Sequence, residues 1–384
     1  MNKLKLMTIL GTRPEIIRLS AVMRCADWYF QHIVVHTGQN YDPELNEVFF
    51  RELKLRSPDH YLDCVGSDLG ETMGAILSKS YHILQAERPD AVLILGDTNS
   101  ALAAISAKRL KIPIFHMEAG NRCWDWNVSE MINRKIVDHI SDINLPYTEH
   151  SRRYLLSEGI DGKTIFVTGS PMREVLNGAL PEIEQSDVLR RLNLEAGNYV
   201  LVSAHREENI DIEENFVSLM TAINAIAEHY QVPVIYSTHP RSMKYIKSRQ
   251  FRFHPLVRNV KPLGFFDYNQ LQTHSLTVLS DSGTLSEESA MLGFCGVLIR
   301  TSTERPEVLD KGTVVIGGIT AQSILQATEL AIAMQAAREP RALPADYTDA
   351  NVSVKVIKII QSYTPIVNKT VWLQPSRSNT EGDI

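Results

Sequence analysis

Short aliphatic and β-branched runs alternate with longer stretches of helical periodicity along almost the whole chain. In the first part the apolar runs fall at 4–10, 33–36, 91–95, 112–115, 143–145 and 165–168, with helical patterns at 14–25, 69–87, 100–110 and 149–158. The runs are apolar at nearly every position rather than at every second one, so both faces of each strand are expected to be covered. Continuous apolar strands separated by helices predict a parallel sheet with helices on both sides. The alternation pauses at Gly169-Ser170-Pro171 and in the polar stretch 181–187. It then restarts, with strands at 199–203, 232–237, 276–280, 297–300 and 314–316 and helices at 213–229, 285–292 and 321–334. The pattern predicts an α/β protein of two doubly wound, Rossmann-like domains, 1–172 and 173–362, with a polar tail at 363–384. A last helix at 352–362 is placed to cross back onto the first domain. Two such domains in tandem would turn the carboxyl ends of both sheets toward one cleft, where ligands of open α/β sheets bind.

Composition narrows the function without naming it. The chain has 384 residues and a formal net charge of −6, so nucleic acid, which needs a positive surface, is not the expected partner. A small anion held by a few local Arg and His side chains remains compatible with that charge. No apolar run approaches the ~20 residues of a membrane helix, and the start, Met1-Asn2-Lys3-Leu4-Lys5-Leu6, reads as a first strand rather than a secretory leader. A cytoplasmic protein with no membrane partner is expected. Cys25, Cys64, Cys123 and Cys295 are widely spaced, without C-x-x-C or metal-ligand spacing, and read as reduced thiols.

Chemistry is expected in the loops that follow the strands. The first strand ends in Gly11-Thr12-Arg13-Pro14-Glu15. Gly11 allows a turn, Thr12 suits an N-cap, and Pro14 suits the first helical turn. Arg13 then stands beside a helix N-terminus, where an anion is favoured, although a capped helix with a solvated Arg would look the same. In the second half, Ser282, Gly283 and Thr284 join a strand to a helix in a shape able to cradle a diphosphate, and Glu288 one turn later can accept from ribose hydroxyls. Asp97 follows strand 91–95, Glu118 follows strand 112–115, and Glu130 opens a helix. Three converging carboxylates would shift one another's pKa values and yield an acid and a base; simple helix capping by Asp97 and Glu118 is the plainer alternative. His205 and Arg206 follow strand 199–203, and His239 follows strand 232–237, a grouping suited to phosphate. There is no H-E-x-x-H, Asp-rich loop, Cys/His cluster, G-x-S-x-G, Walker A or Gly-rich dinucleotide fingerprint, so neither a metal nor another cofactor is expected.

Taken together, G-T-R-P-E, G-D-T, H-M-E-A-G-N-R, I-N-R-K-I-V-D-H-I-S-D, V-T-G-S-P, A-H-R-E-E-N, S-T-H-P-R, S-D-S-G-T-L-S-E-E and T-E-R-P-E resemble the non-hydrolysing UDP-N-acetylglucosamine 2-epimerases, in fixed order from about Lys5 to Ser362. The wording N-R-C-W-D, D-H-I-S-D-I-N and A-H-R-E-E-N-I-D is most similar to the capsule and O-antigen branch. That branch inverts C-2 of UDP-2-acetamido-2,6-dideoxy-L-talose to give UDP-N-acetyl-L-fucosamine. The resemblance implies a GT-B fold, a homodimer, a UDP-activated N-acetylamino sugar as substrate, and UDP elimination and re-addition without added cofactor. By motif, Asp97, Glu118, Glu130 and His205 fall on the family's acid, base and leaving-group positions. Arg13, His239, Ser282, Gly283 and Glu288 fall on its nucleotide-binding positions.

Two departures stand out. Where the family reads P-E-E around Glu130, this chain has Ser129-Glu130-Met131, and Trp126 stands at a usually polar position. Loss of the proline and of a neighbouring carboxylate is expected to position Glu130 less well. Members activated by a second UDP-N-acetylglucosamine carry Gln-His and Arg-Arg where this chain has Gln39-Asn40 and Arg206-Glu207, so no activator requirement is expected. Rival readings are a 2-epimerase acting on UDP-N-acetylglucosamine itself, a hydrolysing epimerase, a GT-B glycosyltransferase and a non-catalytic nucleotide-sugar sensor. A glycosyltransferase would not need the three strand-end carboxylates.

Overall fold

The computed structural model describes residues 3–38, 43–126, 128 and 130–373. Gln39, Asn40 and Ser129, singled out above, lie outside the described residues. The chain divides into two compact units, Met1–Val175 with Asp349–Ile384, and Leu176–Thr348.

Among the described residues each unit holds one six-stranded sheet, parallel throughout. In the first unit the strands are β1 (Lys5–Leu10), β2 (Gln31–His36), β3 (His60–Tyr61), β4 (Ala91–Leu95), β5 (Ile114–Met117) and β6 (Ile143–Leu145). Their order is β3-β2-β1-β4-β5-β6. The second unit runs β7 (Val200–Ser203), β8 (Val234–Ser237), β9 (Val257–Val260), β10 (Thr277–Ser280), β11 (Gly296–Leu298) and β12 (Val315–Ile316). Its order, β12-β11-β10-β7-β8-β9, is the same topology read from the other edge. In both units the strand order reverses between the first and fourth strands, the point at which doubly wound sheets bind ligands.

The continuous apolar runs have the cause expected of them. In the second unit Val200 and Val202 pack in one core cluster while Tyr199 and Leu201 pack in another. Ile235 likewise faces away from Val234 and Tyr236, and Val278 away from Leu279. Side chains alternate across the pleat, and each face buries its own helices. Val92, Ile94 and Ile114 lie with Met7 and Ile9 in the corresponding core of the first unit.

Local departures from the expected elements have physical reasons. The run 165–168 contributes only an isolated bridge, Asn144 to Ile165, and forms no strand. The edge strands β3 and β9, and the helices Pro43–Glu52, Pro240–Ser248 and Phe265–His274, carry weaker apolar signals, and the pattern does not predict them. The last helix spans Val352–Thr370, longer than 352–362, and packs on the first helix of its own unit, Arg13–Tyr29. No helix among the described residues is long and apolar enough to cross a membrane.

Candidate active site

Register places the loops of the first unit side by side. Ile9 pairs with Ile94 and Leu95 with Met117, so the chain leaves β1, β4 and β5 at one edge through Gly11, Gly96 and Glu118. Two of these exits use left-handed backbone, Gly96 at φ 71° and Glu118 at φ 64°. A non-glycine residue there is strained, and such strain collects at functional sites. A Cβ on Gly96 would come within 3.5 Å of Glu118 Oε2, so the Asp97 loop and the Glu118 carboxylate are close neighbours.

Each carboxylate has a cationic partner. Glu118, 4% exposed, is paired with Arg18 of helix Arg13–Tyr29 and accepts from Asn121 Nδ2 at 3.1 Å. Asp97 is paired with Arg134, and its backbone carbonyl accepts from Asn133 Nδ2 at 2.9 Å. Both of those residues lie on helix Glu130–Ile140, whose first residue is Glu130. Glu130 and Arg134 are four apart and share a helix face. The local charge pattern therefore sets an arginine beside both Asp97 and Glu118, a pairing that the sequence does not suggest. Sequence reasoning misses Arg18 and Arg134, although the spacing of Arg134 one helical turn after Glu130 is a usable signal.

A further carboxylate, Glu15, is 1% exposed. Its Oε2 accepts from the Gly11 N–H at 3.0 Å and Thr12 Oγ1 at 2.8 Å, and its Oε1 accepts from Thr98 Oγ1 at 3.1 Å. Burial outweighs these bonds and pushes the carboxyl up to about 7. Thr12 occupies the N-cap position as expected, but its hydroxyl serves Glu15 rather than the helix end. The Arg13 guanidinium lies 5.8 Å from the Phe49 ring centre.

The departures near Glu130 take a definite form. Met131 is 1% exposed and packs with Cys123 and Val128, so its side chain belongs to an apolar cluster. Trp124 and Trp126 are exposed, and Lys135 Nζ lies 5.8 and 5.3 Å from their ring centres.

In the second unit the buried carboxylate of Asp281 shapes the equivalent edge. Asp281 Oδ2, at the end of β10, accepts from the backbone N–H groups of His205 and Arg206 at 2.8 and 2.9 Å and from Asn209 Nδ2 at 3.1 Å. The Arg206 Nε donates to the Asp281 carbonyl at 2.8 Å. The loops after β7 and β10 are thereby held as one piece, a role for Asp281 that the sequence does not reveal. The His205 and His239 rings stack with centres 5.3 Å apart. His239 also caps helix Pro240–Ser248, accepting from the Arg241 N–H at 3.2 Å.

The Ser282-Gly283-Thr284 turn opens helix Thr284–Leu292 as expected. Gly283 has an ordinary φ of −63°, so its conformation does not demand glycine. A Cβ there would meet Glu304 Oε1 at 2.6 Å, so that carboxylate would have to shift to admit a larger residue. Glu288 is 6% exposed, and its Oε2 accepts from Gln272 Nε2 at 2.7 Å. Glu207 is bonded to Arg241 at 2.6 Å, and Asp211 pairs with the same guanidinium. The first unit thus gathers Asp97 and Glu118, with Glu130 on the helix that anchors Asp97. The second gathers His205, Arg206 and His239, with Ser282, Gly283 and Thr284 beside Asp281. Among the described residues no group of three or more His, Cys, Asp or Glu side chains is arranged to hold a metal ion.

Comparison with known proteins gives this geometry a context. A family profile described as UDP-N-acetylglucosamine 2-epimerase matches residues 24–361. The structure of a UDP-N-acetylglucosamine 2-epimerase from Rickettsia bellii is 42% identical, with a TM-score of 0.89 over 97% of this chain and 100% of that one. A Methanocaldococcus jannaschii UDP-GlcNAc 2-epimerase, solved in complex with UDP-GlcNAc and UDP, is 31% identical, with a TM-score of 0.87 over 93% of this chain and 99% of that one. The UDP-2,3-diacetamido-2,3-dideoxy-D-glucuronate 2-epimerase of Pseudomonas aeruginosa is 32% identical over 334 residues, 86% of this chain and 92% of its own.

Proposed function

This chain belongs to the UDP-N-acetylglucosamine 2-epimerase family, and from that footing we propose that it converts UDP-2-acetamido-2,6-dideoxy-L-talose to UDP-N-acetyl-L-fucosamine for bacterial surface polysaccharide. At the coarser level it is an isomerase, a non-hydrolysing UDP-sugar 2-epimerase. The observation that carries the reading is the pair of strand-end carboxylates, Asp97 and Glu118, each set against its own arginine. Nucleotide binding alone does not call for such a pair, whereas moving a proton at carbon does.

The C-2 hydrogen of the sugar is not acidic, so its loss must be coupled to departure of UDP. In the proposed reaction a carboxylate takes the C-2 proton while the C-1–oxygen bond breaks, its electron pair leaving with the β-phosphate. A C-1–C-2 double bond forms, giving a 2-acetamidoglycal. The β-phosphate oxygen then adds back to C-1 as a proton reaches C-2 on the opposite face. Asp97, Glu118 and Glu130 handle the proton, and His205 assists the leaving phosphate. Arg13, Arg206 and His239 stabilise the phosphate charge. Ser282, Gly283 and Thr284 hold the diphosphate, and Glu288 accepts from the ribose. The cations of the chain supply the charge stabilisation, so the proposed reaction uses no metal or other cofactor. We place the enzyme in the cytoplasm as a homodimer.

The L-sugar assignment is supported by the N-R-C-W-D, D-H-I-S-D-I-N and A-H-R-E-E-N-I-D segments. Relatives named for UDP-N-acetylglucosamine favour a second reading, conversion of that sugar to UDP-N-acetylmannosamine. Proton NMR of the enzyme with each nucleotide sugar separately tests the choice. Conversion of the L-talose derivative alone supports the proposal; faster turnover of UDP-N-acetylglucosamine overturns it in favour of the second reading.

A further inference from the structure

We propose that Glu15 and His116 are positioning residues that fix Asp97 by gripping the chain on either side of it. The inference rests on the reading that Asp97 exchanges the C-2 proton.

Asp97 sits between Gly96 and Thr98. On one side, the Gly96 carbonyl accepts from His116 Nε2 at 2.7 Å. His116 is fully buried, and its other ring nitrogen, Nδ1, lies 2.9 Å from Asp138 Oδ1. Asp138 is itself held. Its Oδ2 pairs with Arg122 Nη1 at 2.8 Å, and both its oxygens accept from the Gly120 N–H. Arg122 in turn donates to Glu158 at 2.9 and 2.6 Å. The left-handed turn at Gly96 is thus moored, through one imidazole, to the helix Glu130–Ile140 that also carries Asn133 and Arg134.

On the other side, the Thr98 hydroxyl donates to Glu15, whose second oxygen holds Gly11 and Thr12 of the loop after β1. Asp97 is therefore constrained at the peptide before it, at the residue after it, and at its own carboxylate by Arg134. Glu15 and His116 are 1% and 0% exposed, so neither is placed to touch substrate. Their effect on catalysis has to pass through Asp97. Displacement of a catalytic group by about 1 Å can cost roughly 100-fold in rate.

The test is a comparison of H116A, H116Q, H116N, E15Q and D97N, reading kcat, KM for the nucleotide sugar and UDP affinity. His116→Ala is expected to lower kcat about 10- to 100-fold, with KM and UDP affinity within about twofold. The amide nitrogen of glutamine falls near Nε2 and still reaches Gly96, whereas that of asparagine falls near Nδ1. His116→Gln should accordingly recover much of the rate and His116→Asn little. Glu15→Gln, which keeps the shape but lacks a second acceptor oxygen, should also lower kcat without raising KM, and it carries the test should the His116 variants fail to fold. Wild-type kcat in Glu15→Gln or in His116→Ala overturns the proposal, as does His116→Asn outperforming His116→Gln. Full activity in Asp97→Asn would instead overturn the underlying assignment of Asp97.

Discussion

Replacing Glu15 by glutamine should remove a loss of stability that wild type suffers as pH rises past neutrality, and the size of that loss follows from the burial of Glu15. An ordinary glutamate ionises near 4.5, but in the folded chain Glu15 is pushed up to about 7, because burial outweighs the hydrogen bonds from Thr12, Gly11 and Thr98. A raised folded-state value means that the native protein binds this proton more tightly than the unfolded chain does. The associated stability is therefore complete below pH 4.5 and is lost as pH rises through 7. Each unit of difference corresponds to about 1.4 kcal/mol, so the full loss is about 3 kcal/mol, most of it between pH 5 and pH 8. Glutamine is neutral throughout and escapes this loss. The stability of Glu15→Gln relative to wild type should thus rise by about 2 to 3 kcal/mol from pH 5 to pH 8. Urea unfolding followed by tryptophan fluorescence is the suitable assay, since Trp28, Trp124, Trp126 and Trp372 all belong to the first unit. A difference that stays constant with pH, or that grows toward acid, would refute the reasoning. A variant that is stabler yet slower would also separate positioning from a merely structural role.

Other perturbations have clear directions. Arg18→Ala should destabilise the first unit by about 3 to 5 kcal/mol, read by the same fluorescence transition, because it strands the buried carboxylate of Glu118. Met131→Glu, which restores the family's usual acid, should lower both stability and turnover, because Met131 is buried against Cys123 and Val128. Increased turnover would instead support the expectation drawn from sequence, that the missing carboxylate weakens Glu130. Addition of UDP-N-acetylglucosamine should not raise the rate with the L-sugar, because Glu207 stands at one of the activator arginine positions and is bonded to Arg241; a sigmoidal rate curve made hyperbolic by that compound would contradict this.

The parallel α/β character is legible because β1, β4 and β7 are apolar on both faces, which suits a short strand only where helices cover both sides of its sheet. The edge strands are not legible in this way. β3 is two residues long, and β9 is partly exposed, so neither carries a continuous apolar signal. The converse error occurs at 165–168, where an apolar run finds only one bridging partner at Asn144. At the site, loops at strand ends point to Asp97, Glu118, His205 and Ser282, since position after a strand is a local property. The partners of those groups stay hidden because pairing is not local. Arg18 and Glu118 are 100 residues apart in sequence, and Asp281 organises a loop 75 residues before it. Glu15 lies inside a motif that the sequence does reveal, but only its burial distinguishes it from a helix-capping glutamate.

The central claim is that epimerisation proceeds by breaking both the C-2–hydrogen and the C-1–oxygen bonds. The most direct measurement follows UDP-2-acetamido-2,6-dideoxy-L-talose, labelled with oxygen-18 in the bridging anomeric position, during turnover in deuterated water. Product carrying deuterium at C-2, together with movement of the label into the non-bridging β-phosphate oxygens, is the expected result. Inverted product whose label stays wholly in the bridge would contradict the account, and so would release of free sugar and UDP in place of a nucleotide-sugar product.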